Sequence, residues 1–323
     1  MGGRLGLRSA IAHPIQGLIK YHGLKDRRLR LPYHDSISVC TAPLYTHTTF
    51  QFTSRQTGVS VDERRLSGHE LERVDAVVAA VKKMARIKEN YRVVSKNSFP
   101  SNIGLGASSS GFAALAVAAS LEAGLSLTRK ELSTIARLGA GSASRSLTGF
   151  FSQWRRGHDH PSSYSQVLGK EPDMGMVVAL IPAYKRTEDV HEDVKSSPFF
   201  QARNKYVPHA IREMKRAIGE RDISKIGRLA ELDSLMIHVI AMTGKKEMIL
   251  WKPETLKIFA EVKHMREEGI EAFFSVDTGA TVYINTYKEN VSTVDKRIRE
   301  LGIETIVCNV GGGAREIGEH LMR

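Results

Sequence analysis

Residues 100–111 read Pro-Ser-Asn-Ile-Gly-Leu-Gly-Ala-Ser-Ser-Ser-Gly, and an alanine-rich run follows directly over 111–123. The preceding residues 91–95 carry β-branched and aromatic side chains, so the stretch reads as a glycine and serine loop between a strand and a helix. Glycines let a backbone approach an oxyanion, serine hydroxyls donate hydrogen bonds, and a helix N-terminus adds oriented N–H groups with partial positive charge. The loop is therefore read as a phosphate cradle containing Gly106, Ala107, Ser108, Ser109 and Ser110. It lacks the Gly-Lys-Ser/Thr of a Walker loop and the spacing of a dinucleotide fingerprint. A flexible turn without a ligand is the alternative reading.

Outward from the loop, residues 37–44 and 48–52, joined by 45–47, read as a hairpin. Residues 71–87 place Leu71, Val74, Val77, Val78, Val81 and Met84 at helical spacing. Thr128 with Glu131 forms a capping-box pattern, and Gly139 and Gly141 close the helix it opens. Residues 174–182 read as a buried strand. The charged stretch 184–197 reads as a surface connection, and we place there the boundary between an N-terminal domain, 1–184, and a C-terminal domain, 185–323. Beyond it, helices are expected at 204–218, 223–243, 254–268 and 291–301, with strands at 272–276, 280–285 and 305–310. Helices on a mostly antiparallel sheet define an α+β protein.

The chain has 323 residues, 41% hydrophobic and 25% charged, which is a globular composition. Lys+Arg 47 against Asp+Glu 35 gives a net charge of +12, which favours anionic partners without choosing among metabolites, nucleic acid and acidic surfaces. Two cysteines, Cys40 and Cys308, are too few for a disulfide framework and fit a reducing, cytoplasmic setting. No apolar run approaches the ~20 residues of a membrane helix, residues 1–10 lack a signal-peptide core, and no membrane association is expected.

Several clusters could carry chemistry. Residues 19–32 hold Lys20, Lys25, Arg27, Arg28 and Arg30, which alone suggest a solvated basic face. Residues 139–145, Gly-Ala-Gly-Ser-Ala-Ser-Arg, offer hydroxyls and a guanidinium able to grip a carboxylate or phosphate, or simply a helix end. Asp277, in Val-Asp-Thr-Gly-Ala, is equally readable as a turn residue. His158, Asp159 and His160 are spaced for a loop rather than for converging metal ligands. The run Gly311–Gly313 is either a terminal turn or a second backbone site for substrate.

Taken in order, 18–26 (LIKYHGLKD), 31–39 (LPYHDSISV), 95–116 (SKNSFPSNIGLGASSSGFAALA), 139–164 (GAGSASRSLTGFFSQWRRGHDHPSSY), 196–200 (SSPFF) and 276–280 (VDTGA) resemble the diphosphomevalonate decarboxylase branch of the GHMP small-molecule kinase superfamily. The resemblance spans about residues 12 to 280. It implies an N-terminal half like ribosomal protein S5, a ferredoxin-like C-terminal half and a cleft between them. The implied reaction removes carbon dioxide from a 5-phosphorylated 3-hydroxy acid after phosphorylation of the 3-hydroxyl. Lys20, Ser108, Arg145 and Asp277 match the family's catalytic positions. Tyr21, Lys25, Gly106, Ala107, Ser109, Ser110, Gly141, Ser142, Lys185 and Arg186 are the implied substrate and phosphate contacts. No metal site on the protein and a homodimer are also implied.

The chain departs from the family in places. Lys-Tyr-Trp-Gly-Lys becomes Lys20-Tyr21-His22-Gly23-Leu24, an upstream Asn becomes Ile15, and Ala140 replaces a serine. Ser-Ser-x-x-Gly-Met becomes Lys185-Arg186-Thr187-Glu188-Asp189-Val190. These changes remove hydroxyls and one cation near the phosphates and add fixed cations. They favour a substrate already phosphorylated at C3, mevalonate 3,5-bisphosphate, converted to isopentenyl phosphate with no cofactor, as in an archaeal branch of the family. The alternative is an ATP- and Mg²⁺-dependent decarboxylase of diphosphomevalonate or phosphomevalonate. A kinase is a third reading, disfavoured because Lys20 and Asp277 are both kept. RNA binding is weaker still, since aromatics do not interleave with the basic residues, and no nucleic-acid partner is expected.

Overall fold

The computed structural model describes residues 6–100, 104–170, 173–182 and 187–322. Strands Arg8–Ala12 (β1), Ile15–Ile19 (β2), Leu24–Asp26 (β3), Leu31–Pro32 (β4), Ser36–Ala42 (β5), Thr46–Thr53 (β6), Gly58–Val61 (β7) and Arg64–Arg65 (β8) lead into helix Gly68–Ala85 (α1). Strand Asn90–Asn97 (β9) is followed by helices Ala107–Glu122 (α2), Arg129–Gly139 (α3) and Ala143–Thr148 (α4), then strands Phe151–Trp154 (β10), Ser165–Gly169 (β11) and Met174–Ala179 (β12). Helices Thr187–Asp193 (α5), Phe200–Glu220 (α6), Ile223–Met242 (α7) and Pro253–Glu267 (α8) come next. Strands Ala272–Val276 (β13) and Val282–Tyr287 (β14), helix Val291–Glu300 (α9), and strands Thr305–Val310 (β15) and Arg315–Ile317 (β16) complete the α+β order.

One six-stranded sheet runs β16-β1-β6-β9-β7-β8. Val74, Val77, Val78 and Val81 of α1 and the alanines of α2 pack with Phe50, Phe52 and Val93 to make its core. The small side chains of α2 let that helix lie close to the sheet. The eight-stranded sheet runs β11-β10-β5-β15-β12-β14-β13, with β2 also paired to β5. Along β12, Met174, Met176 and Val178 face α6 and α7, while Val177 and Ala179 face α8 and α9. Both faces are buried, which is why that stretch is apolar without alternation. This sheet draws strands from both sides of residue 184, since β12 pairs with β14 and β15.

Three expectations are corrected. Residues 37–52 do not form a hairpin: β5 pairs with β2, β10 and β15, whereas β6 pairs with β1 and β9 in the other sheet. Their apolar faces serve different cores, Ile37 and Val39 in one and Phe50 and Phe52 in the other. Helix α2 starts at Ala107, four residues before the expected 111, so the serines occupy its first turn. The 184–197 stretch is more than a surface connection, because Val190 and Val194, one helical turn apart, are buried against Phe200, Met248 and Leu250.

The Gly311–Gly313 run is packing rather than an open site. Gly311 N–H donates to Cys40 O, and its carbonyl accepts from Phe150 N–H. A Cβ on Gly149, whose φ is +76°, would lie 2.0 Å from Gly313 N. Gly149→Ala is accordingly expected to destabilise the fold by about 3 kcal/mol or more, through strain and collision together. Thr128 and Glu131 make the expected capping box, and Thr128→Ala should cost only ~1 kcal/mol. Urea unfolding of the two variants checks the ordering.

Candidate active site

The site forms where chain segments cross without side chains between them. Gly17 N–H donates to Asp277 Oδ2 at 3.2 Å. A Cβ on Gly17 would stand 2.7 Å from Lys20 Cγ and 3.0 Å from Asp277 Oδ1, so only glycine leaves room for the pair. Lys20, just after β2, sends Nζ to Ser275 Oγ at 2.8 Å and lies 3.9 Å from Asp277 Oδ1. The Lys20 side chain is 4% exposed and that of Asp277 25%, so the acid sits at the open end with the ammonium behind it.

The backbone of Lys20 is clamped from below. Its N–H donates to Asp233 Oδ2 at 2.9 Å and its carbonyl accepts from Arg203 Nη2 at 2.9 Å. Arg203 of α6 and Asp233 of α7 pair at 2.8 Å in full burial. Neither was picked out in the sequence, although a carboxylate on the apolar face of α7, flanked by Ala230 and Ile237, was the available signal. Ser275 gave none.

Arg145 of α4 is 2% exposed, and its Nε and Nη1 have no hydrogen-bond partner among the described residues. Its guanidinium lies 5.6 Å from the centre of the Tyr21 ring, within cation–π reach. Tyr21 meets Trp154 edge-on at 4.8 Å. A Cβ on Gly141 would fall 2.7 Å from Trp154 and 2.8 Å from the Tyr21 hydroxyl, so Gly141 makes this packing possible. Ser142 is half-buried at the start of α4, where its carbonyl accepts from Arg145 N–H.

The predicted cradle is brought to the same place. A Cβ on Gly279 would be 3.5 Å from Gly104 Cα, and one on Gly106 would be 3.3 Å from Ile15 O. The cradle therefore abuts both the Asp277 turn and the start of β2. Gly106, with φ +74°, caps α2, and the N–H groups of the first turn, from Ala107 and Ser108, have no acceptor within the helix. Ser108 is exposed there. The buried hydroxyls of Ser109 and Ser110 instead bond Gly106 O and Thr46 Oγ1, each at 2.6 Å, and serve the helix start.

Lys25 is exposed on β3, and Lys185 and Arg186 fall outside the described residues. Arg30 reaches Leu138 O. Asp159 accepts from Ser162 N–H in a local turn, and the His160 ring meets Arg137.

Burial dominates the ionisation of the site. It raises the Asp277 carboxyl above the usual carboxylate range, against the pull of Lys20 and the Gly17 N–H. Burial likewise lowers the Lys20 ammonium, opposed by Asp277 and Asp233, and brings Arg145 down to about 10.

Residues 12–165 match the family model of the diphosphomevalonate decarboxylase-like N-terminal domain, and 183–307 match that of the mevalonate 5-diphosphate decarboxylase C-terminal domain. The chain is 43% identical to the phosphomevalonate decarboxylase of Haloferax volcanii, an alignment covering 96% of this chain and 98% of that one. It is 30% identical to the diphosphomevalonate decarboxylase of Schizosaccharomyces pombe over 86% and 78% of the two chains. Among solved structures, mevalonate diphosphate decarboxylase from Staphylococcus aureus matches with a TM-score of 0.91 at 28% identity, covering 97% and 98%. The Enterococcus faecalis enzyme matches at 0.89 and 27%, covering 96% and 98%. Fold and site define an α+β enzyme of the GHMP superfamily. Within it, the chain belongs to the diphosphomevalonate decarboxylase family, the decarboxylases of the mevalonate pathway.

Two measurements check this account. Asp233→Ala strands the buried Arg203 guanidinium and should cost about 3–5 kcal/mol in urea unfolding. In a pH–rate profile, a step that needs ionised Asp277 should decline with acid at a pH above the ordinary aspartate value of 3.8, because burial raises that carboxyl.

Proposed function

We propose that the chain converts 5-phosphomevalonate and ATP to isopentenyl phosphate, carbon dioxide, phosphate and ADP, the γ-phosphoryl group passing to the C3 oxygen as ADP leaves. The observation that carries this reading is Asp277 Oδ1, a carboxylate oxygen with no hydrogen-bond partner among the described residues, 3.9 Å from Lys20 Nζ and within electrostatic reach of Arg145, whose Nε and Nη1 are likewise unpartnered. Identity of 43% with the Haloferax phosphomevalonate decarboxylase supports a monophosphate at C5. Mg²⁺ would arrive on the nucleotide phosphates.

The residues divide the work by position. Asp277 takes the proton of the C3 hydroxyl as that oxygen is phosphorylated. Arg145 grips the C1 carboxylate and aligns the C1–C2 bond with the C3–O bond. The C3–O bond then breaks and its electron pair leaves on phosphate, which recovers the proton from Asp277. The C1–C2 pair becomes the C2=C3 double bond, and C1 departs as carbon dioxide. The ionised Asp277 now faces the electron-poor tertiary carbon and lowers its energy. Lys20 offsets the charge of the departing phosphate, while the Ser108 hydroxyl and first-turn amides of α2 cradle it.

A second reading keeps the elimination and omits ATP: mevalonate 3,5-bisphosphate would enter directly. Lys185-Arg186 in place of the family's paired serines favours it.

Carbon dioxide release distinguishes the readings. Release from 5-phosphomevalonate with ATP and Mg²⁺ is expected; release only from mevalonate 3,5-bisphosphate without nucleotide would transfer the proposal to the second reading. Release in neither tube would defeat both. Asp277→Asn should lower kcat by about 10²–10³ while substrate affinity stays within about threefold, because the amide keeps the shape and Arg145 keeps the carboxylate.

A further inference from the structure

Helix α5 lies over the Tyr21 loop and is fixed on both sides. Val190 and Val194 are buried under it, the Asp193 carboxylate accepts from Lys246 N–H at 3.1 Å, and Glu192 pairs with Arg27. From this clamped helix His191 reaches back to the site. Its ring stacks on Tyr21, with centres 4.8 Å apart and planes 15° from parallel, and Nδ1 accepts the Gly23 N–H at 3.3 Å. Tyr21 is thus held by His191 stacked on it, by the edge of Trp154, and by the Gly141 backbone.

We infer that His191 is a positioning residue for the decarboxylation: it fixes the Tyr21 ring and, through that ring, the guanidinium of Arg145. The inference rests on the activity proposed above. The ring's electron-rich surface is the one neighbour within cation–π distance of the buried Arg145 among the described residues. Arg145 Nε and Nη1 have no hydrogen-bond partner among the described residues, so no such bond fixes those two atoms before substrate arrives. An aromatic ring free to change rotamer would let the guanidinium move, and a shift of about 1 Å at a group that aligns a breaking bond costs ~10²-fold at the upper end. Stacking needs an aromatic surface, which other ring side chains also provide. The bond to the Gly23 N–H needs the imidazole, and it secures the loop rather than the ring.

The Tyr21 and Gly23 contacts separate by substitution; the His191 ring also meets that of His22, with centres 4.9 Å apart. His191→Ala should lower kcat about tenfold with KM changed less than threefold. His191→Phe, which keeps the stack and loses the acceptor, should return kcat to within threefold of the parent. In a double-mutant cycle, His191→Ala combined with Tyr21→Leu should be no slower than Tyr21→Leu alone. Wild-type kcat in His191→Ala, failure of phenylalanine to rescue, or additive losses in the cycle would each overturn the inference. A readout without turnover separates this from the activity itself: in a Trp251→Phe background, Trp154 emission should shift on His191→Ala and remain parental on His191→Phe. Unchanged emission in His191→Ala would show that the Tyr21 ring does not depend on His191, whatever reaction the chain performs.

Discussion

The buried pair between Arg203 and Asp233 holds the site in place. A buried ion pair is not by itself a strong source of stability, since desolvation of both charges offsets most of their attraction. Here each partner also bonds the backbone of Lys20, one at its N–H and one at its carbonyl. The pair therefore ties α6 and α7 to the end of β2 and sets where the Lys20 side chain begins. Its ammonium is then engaged by Ser275 at 2.8 Å and reaches Asp277 only at 3.9 Å. A closer ion pair would have masked Asp277 Oδ1, whereas this spacing keeps the oxygen available and still supplies positive potential.

The second constraint is close approach of backbones. Gly17 admits Lys20 beside Asp277, Gly104 abuts Gly279, and Gly106 abuts Ile15. A methyl group at Gly17 would be under 3 Å from Lys20 Cγ, a separation that packed side chains do not tolerate without displacement. The phosphate cradle, the acid and the lysine converge from three distant parts of the chain because the crossings leave no volume between them. Gly141 plays the same part for Tyr21 and Trp154.

Much of this was legible locally. Strands β13 and β15 match their expected bounds, because short β-branched and aromatic runs ending at glycine or charged residues leave little choice. The Thr128 capping box was readable because it is a contact between neighbours in sequence. The resemblance to the family supplied Lys20, Arg145, Ser108 and Asp277, and the fold brings their segments to one place. What depended on distant partners was not legible. Nothing in residues 37–52 says that the two strands enter different sheets. The serines of the cradle look alike in sequence, yet Ser109 bonds Gly106 O at the helix start and Ser110 bonds Thr46 of β6, while Ser108 is exposed. Asp233 and His191 act through residues far along the chain, and their types alone did not mark them.

The proposed reaction requires Asp277 to carry a proton and later give it up, and the charge around it suits both steps. Without substrate, Lys20 and Arg145 both pull its carboxyl toward ionisation, and burial still outweighs them. In the proposed reaction, a bound substrate brings a carboxylate to Arg145 and phosphate charge to Lys20, which neutralises the two cations as seen from Asp277 and adds like charge beside it. Both effects raise a carboxyl pKa. The proton taken from the C3 hydroxyl is therefore best held when the site is fully charged with anions, and best released when phosphate departs and positive charge grows at C3. On the proposed mechanism the same carboxylate acts as base, acid and electrostatic partner in turn because the groups around it change charge during the reaction while their positions, fixed from Arg203 and Asp233 upward, do not.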